Sequence, residues 1–142
     1  LDKPLISVIT VSLNSEKTIE KTIQSVLNQN YDNVEFIIIS FDYKYDTPEV
    51  LKNAYGSIFN DYRNVHFLSS YKHKEDVIKI TKEAGLGFSG IDEGDEREIG
   101  HTLKSLLIDP NEILIESYSG DDWLPKEVEN DINERFDIYN ID

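Results

Sequence analysis

The sequence predicts an α/β domain with a mostly parallel sheet flanked by helices, and two observations carry that expectation. Short runs rich in β-branched residues alternate along the 142 residues with segments whose apolar side chains recur at helical spacing. One of the short runs, Phe36 to Ile39, is apolar at every position, as a central parallel strand buried on both faces should be. Strand and helix in strict alternation favour right-handed crossovers, with helices on both faces of the sheet.

Each element can be justified in turn. Leu5 to Leu13 is too short for a buried helix and is dominated by Ile, Val and Thr, so it reads as a strand. Asn14 and Ser15 are good N-cap residues, and Ile19, Ile23, Val26 and Leu27 then form one apolar helical stripe. Gln29 to Asn33 is a turn cluster, and Val34 to Ile39 is the second strand. Thr47-Pro48-Glu49 starts a helix with a cap hydroxyl, a proline at the first position and an early acid. Val50, Leu51, Ala54, Tyr55 and Ile58 follow on one side of it.

Val65 to Ser69 is a short third strand, and Lys74 to Ala84 is a helix ended by Gly85. Gly85 to Asp95 reads as a loop rich in glycine and acid. Ile99, Leu103, Leu106 and Leu107 repeat the helical spacing, and Asp109-Pro110 would stop that helix. Ile113 to Ile115 begins a fourth strand, and Pro125 opens a last helix with Val128, Ile132, Phe136 and Tyr139 inward. No repeat, linker or low-complexity segment divides the chain, so residues 1–142 are expected to form a single domain.

Composition narrows the chemistry. The net charge is −14, from 28 acidic and 14 basic residues, a field that repels nucleic acid and anionic lipid. It also repels a nucleotide diphosphate, which would need a divalent cation as a bridge. There is no Cys, which removes disulfides and thiolate chemistry. No stretch approaches the roughly 18 apolar residues of a membrane span and no signal peptide is visible, so the expectation is a cytoplasmic chain without a transmembrane segment. Met is absent, even at the first position, which suggests a trimmed chain.

In a doubly wound sheet, ligands sit beyond the carboxyl ends of the strands. Three segments are expected there: Ser12 to Ser15, Ser40 to Asp46, and Ser119 to Trp123. Adjacent carboxylates at Asp121 and Asp122 repel one another, and a hard cation such as Mg²⁺ or Mn²⁺ would relieve that repulsion while sharing oxygen ligands with phosphates. The plainer alternative is an exposed acidic turn at the start of the last helix.

Pro4 to Asn14, Thr18-Ile19 and Ile23 to Ile39 resemble the opening of family 2 glycosyltransferases, and Ser119 to Leu124 resembles that family's Asp-Asp motif. The resemblance is dense over residues 4–39 and weak between 70 and 111. It implies a GT-A fold and transfer of a sugar from a nucleotide diphosphate donor, a UDP-sugar foremost, to a saccharide or lipid-linked acceptor. The cofactor implied is Mn²⁺ or Mg²⁺, and the displacement implied is inverting. Carried over by position, Val11, Leu13 and Asn14 would line the nucleobase pocket, and an Asp after the second strand would hold base and ribose. Asp122 would ligate the metal, and Asp121 would contact the sugar-nucleotide or the metal. Polysaccharide biosynthesis is the implied setting.

Departures from the family pattern are visible. Ser40 stands where the first Asp is usual, and Asp42 would serve only with a one-residue shift. Phe41, Tyr43 and Tyr45 are bulky where small residues are usual, so they either stack on a base or fill the pocket. The acceptor site and the general base come later in the family, so the chain is expected to lack the acceptor half, and no base is nominated. A non-catalytic scaffold or interaction domain is the alternative function, and a nucleotidyltransferase a further one.

Weaker signals keep plainer readings. Gly85-Leu86-Gly87-Phe88-Ser89-Gly90 has the spacing of a dinucleotide loop but follows a helix rather than a strand. The acids at Asp92, Glu93, Asp95, Glu96 and Glu98 lack the spaced ligands of a Ca²⁺ loop. His66, His73 and His101 show no metal spacing. Lys72 and Lys74 read as solvated charge, with approach to a phosphate as the alternative. Trp123 either borders a sugar or covers the start of the last helix.

Overall fold

The computed structural model describes residues 4–13, 15–86, 88–89, 100–101, 104–120 and 122–139. The chain divides into two compact units, residues 1–77 and 78–142.

The first unit is built on a parallel three-stranded sheet in the order β1 (Ile6–Ser12), β2 (Val34–Ser40), β3 (Val65–Ser69). The pairing sets Val8 beside Phe36 and Phe36 beside Val65, with Ser12, Ser40 and Ser69 level at the carboxyl ends. The connections are α1 (Ile19–Leu27) and α2 (Pro48–Asp61). Ile19 and Ile23 from α1 join Leu51 and Tyr55 from α2 in one core with Phe36, Ile38 and Val65. Both helices therefore cover the same sheet face, as two right-handed crossovers stepping in one direction require. Burying side chains of this size stabilises the fold by about 1.5–3 kcal/mol each. The alternate residues Ile9, Val11 and Leu68 lie on the opposite face and are exposed.

Local chemistry sets the boundaries as expected at α2 and at the helix after β3, but not at the start of α1, where Thr18 is the N-cap and no side chain caps it. The Thr47 hydroxyl accepts the Val50 N–H at 3.1 Å, with Pro48 at the first helical position of α2. In α1 the Ser15 carbonyl, not its hydroxyl, receives the Thr18 and Ile19 N–H groups. Asn14, the other expected cap, lies outside the described residues. Helix α3 (Lys74–Glu83) ends where Leu86 N–H reaches the Thr81 carbonyl at 2.8 Å and Gly85 takes φ 63°. That closure needs a left-handed residue, which glycine adopts without a Cβ clash.

The second unit departs from expectation. Within the stretch Ile99 to Ile108, predicted as a helix, the described residues instead form β5 (Gly100–His101) and β6 (Lys104–Ile108). β5 pairs antiparallel with β4 (Phe88–Ser89), inside the stretch read as a loop. β7 (Leu114–Ser119), expected as a fourth parallel strand, pairs antiparallel with β6. The deciding piece is the turn between them. Asp109 Oδ1 accepts the N–H groups of Asn111 and Ile113, both at 2.9 Å, and Glu112 takes φ 64°. Asp109-Pro110 is thus a hairpin signal as much as a helix stop, and a short apolar run beside it takes the partner strand the turn supplies.

The mostly parallel sheet with helices on both faces is corrected accordingly. Among the described residues there is one parallel sheet and two antiparallel pairs. Helix α4 (Pro125–Tyr139) closes the described chain. Its start is capped when Glu127 Oε2 accepts the Leu124 N–H at 2.7 Å while the Glu127 N–H reaches the Leu124 carbonyl at 2.9 Å. Among the described residues no helix is long and apolar enough to cross a membrane.

Candidate functional site

At the carboxyl edge of the parallel sheet, the loops after all three strands are tied together. The Phe41 N–H donates to the Ser12 carbonyl at 3.0 Å, and the Ser12 and Ser15 hydroxyls share a hydrogen bond of 2.6 Å. The Ser40 hydroxyl donates to Asp46 Oδ2 at 2.5 Å and accepts the Asp42 N–H at 3.2 Å. Asp42 Oδ1 in turn accepts the N–H groups of Lys44 at 3.1 Å and Tyr45 at 3.0 Å. This is a side chain closing its own turn, a habit of Asp in tight loops. The third loop joins when the Ser69 hydroxyl donates to the Asp46 carbonyl at 2.5 Å and the Lys72 N–H donates to the Tyr43 carbonyl at 2.9 Å.

Two of the three segments expected at the strand ends therefore meet. Ser40 and Asp42, the expected base and ribose contacts, are buried, and their polar atoms hold the loop in shape. Phe41 is 4% exposed and Tyr43 7%, so these rings fill the space behind the loop; Tyr45, at 59%, stands in solvent. Leu13 is half-buried beside the loop, and Val11 alternates onto the sheet face away from α1 and α2. Sequence reasoning named Asp46 only as the limit of a strand-end segment and passed over Ser69, the last residue of β3. Neither belongs to a spaced motif, so only the register of β2 against β3 makes them visible.

The third segment lies in the second unit. Asp122 is exposed between β7 and α4, after Gly120 at φ 67°, and Asp121 lies outside the described residues. The Trp123 ring packs on Tyr118, with centroids 5.8 Å apart and planes tilted by 48°. Its Nε1 is buried and has no hydrogen-bond partner among the described residues. Burial, and then the hydrogen bond from its hydroxyl to Asp131 Oδ2 at 2.5 Å, push the Tyr118 phenol well above its ordinary range. Among the described residues no three Asp, Glu, His or Cys side chains gather as a metal cluster. An exposed carboxylate such as Asp122 suits a hard cation whose other ligands are phosphate oxygens and water.

Comparison with known proteins adds a family. The Glycosyl transferase family 2 model matches residues 7–88, more than half of the chain. The chain belongs to this family. The family 2 match runs from within β1 into β4 and includes the three tied loops of the first unit. An uncharacterized glycosyltransferase of Haemophilus influenzae is 27% identical over 157 aligned positions, covering 96% of this chain. The chain spans about half the length of that curated relative, 49% of it.

Solved structures correct the expected GT-A fold. Arabidopsis thaliana ScoI, determined with copper bound, superposes with a TM-score of 0.59 at 14% identity, over 90% of this chain and 84% of that one. A SCO1/SenC family lipoprotein from Bacillus anthracis gives 0.60 at 23% identity, over 90% and 79%. At these identities the likeness shows the fold alone, and the fold is thioredoxin-like rather than GT-A. The physical reason is in the second unit, where an antiparallel hairpin follows α3 in place of another parallel strand.

Proposed function

We propose that this family 2 chain is the donor-binding part of a glycosyltransferase that moves a sugar from a nucleotide diphosphate to an acceptor hydroxyl with help from a divalent cation. The observation that carries the reading is the family match over residues 7–88, the stretch whose strand-end loops are laced together through Ser12, Ser40, Asp46 and Ser69. In this reading Val11, Leu13 and Asn14 lie on the base side. Ser40 and Asp42 act by shaping the loop, since their polar atoms already hold Asp46 and two backbone N–H groups. Asp122, with Asp121 beside it in sequence, would hold Mn²⁺ or Mg²⁺. Bound there, the cation would stabilise negative charge on the departing nucleoside diphosphate.

The copper bound by the Arabidopsis thaliana structure is not carried over. Soft sulfur donors select Cu(I), and this chain contains neither Cys nor Met.

Thermal unfolding with UDP tests the proposal. A ligand at about 100 times its dissociation constant adds about 2.7 kcal/mol to stability. The expected result is that Mn²⁺ adds several degrees to the UDP-induced rise in Tm, and that Asp122→Asn abolishes this increment. An increment that survives in Asp122→Asn removes the metal assignment, and no UDP effect with or without Mn²⁺ removes donor binding. One observation favours a second reading, a non-catalytic scaffold: the buried Phe41 and Tyr43 rings occupy the loop where small residues are usual. That reading expects no nucleotide-linked stabilisation at all.

A further inference from the structure

Three of the 14 basic residues of this strongly acidic chain collect on two touching loops of the first unit and at the first residue of α3. Lys44 follows β2, while Lys72 and Lys74 follow β3. The Lys44 and Lys74 ammonium groups lie 6.0 and 5.8 Å from the centroid of the same ring, that of Tyr43. Lys72 sits 5.1 Å over Tyr71. Cations placed on aromatic faces are held by the ring quadrupole, so these rings gather positive charge against the field of the whole molecule.

One further feature singles out the β3–α3 loop. Lys72 has φ 66°, a conformation that side chains other than Gly and Asn seldom adopt, and its N–H is pinned to the Tyr43 carbonyl at 2.9 Å. Backbone strain of this kind persists where the surroundings impose it, and it collects at ligand sites.

We infer that Lys44, Lys72 and Lys74 form a pyrophosphate-recognition site at the carboxyl edge of the parallel sheet that works without a metal ion. The inference rests on the donor-binding reading above and names the side chains that would meet the diphosphate in the first unit. Ammonium groups act on phosphate as mobile point charges, so recognition here is of charge rather than of a fixed fork.

The test is calorimetric titration of inorganic pyrophosphate in EDTA. The wild type should bind saturably and more weakly as NaCl rises, because salt screens exposed charges. Lys72→Gly is the decisive variant: it relieves the left-handed backbone, so Tm should hold or rise, while pyrophosphate binding should weaken by about tenfold, the scale of one charge-assisted hydrogen bond. Lys72→Arg should keep most of the affinity. Undiminished binding by Lys72→Gly, or no binding by the wild type in EDTA, overturns the inference. UDP acting only with Mn²⁺, with no pyrophosphate bound in EDTA, would sink the lysine site and spare the donor reading. Pyrophosphate bound in EDTA, with UDP no tighter and no Mn²⁺ increment, would do the reverse.

Discussion

Burial acts on the Tyr118 phenol more strongly than its hydrogen bond to Asp131 does, and both favour the protonated form. The folded state therefore holds this proton more tightly than the unfolded chain, whose tyrosines titrate near 10. The sign follows from linkage: the stabilisation is complete below about pH 10 and is lost as pH climbs through the raised folded value. Alkaline titration followed by phenolate absorbance should show a late-titrating component that is lost in Tyr118→Phe. The same variant should flatten the fall of Tm above pH 10. An unchanged alkaline slope in Tyr118→Phe would assign the loss to other groups. None of this was legible in the sequence, where Tyr118 is one aromatic in a strand and Asp131 lies 13 residues on, in α4. Only the placement of strand against helix inside the second unit brings the two together.

At the scale of elements, the first unit was read almost entirely from local chemistry. Thr47-Pro48-Glu49 encodes its own helix start, because a cap hydroxyl, a missing N–H and an early acid each satisfy a need of the first turn. Replacing the cap in Thr47→Ala should lower stability by about 0.5–2 kcal/mol, read as a reduced urea midpoint with an unchanged slope. A midpoint equal to the wild type would mean that water replaces the cap at no cost. The β1, β2 and β3 strands were legible for a similar reason, since Ile, Val and Phe runs of this length have few other homes. The segment from Gly100 to Ile108 was not. Leu106 and Leu107 suit a helical stripe and a strand equally, and what decides between them is β7, a partner remote from the window in which periodicity is read.

The same limit applies to the loops of the candidate site. Ser40 and Asp42 stood out as departures from a pattern, and the structure shows them spent on holding the loop. Asp46 and Ser69 carry the link between two strand ends and belong to no motif. A hydrogen bond between residues 23 positions apart leaves no spacing signal for a reader of sequence.

Across the whole molecule, charge is the dominant property that composition alone supplies. With a net charge of −14 the folded chain repels itself, and salt should screen that repulsion. Tm is expected to rise between 50 mM and 500 mM NaCl at pH 7, while any affinity for pyrophosphate falls over the same range. Opposite responses to one variable separate global repulsion from a local cationic site. A Tm that drops with salt would point to favourable ion pairs outweighing the repulsion.

Legible in the residues alone were the family, the β-α-β-α-β order of the first unit, the Thr47 cap of α2 and the acidic field, because each is written in neighbouring residues or in their sum. Tertiary structure alone decided the antiparallel hairpin in place of a fourth parallel strand, and with it a thioredoxin-like rather than a GT-A fold. It also decided which polar groups at the strand ends are spent on holding the loops. Those outcomes depend on pairing between distant segments, where a competing local preference is worth less than the hydrogen bonds and burial that the partner provides.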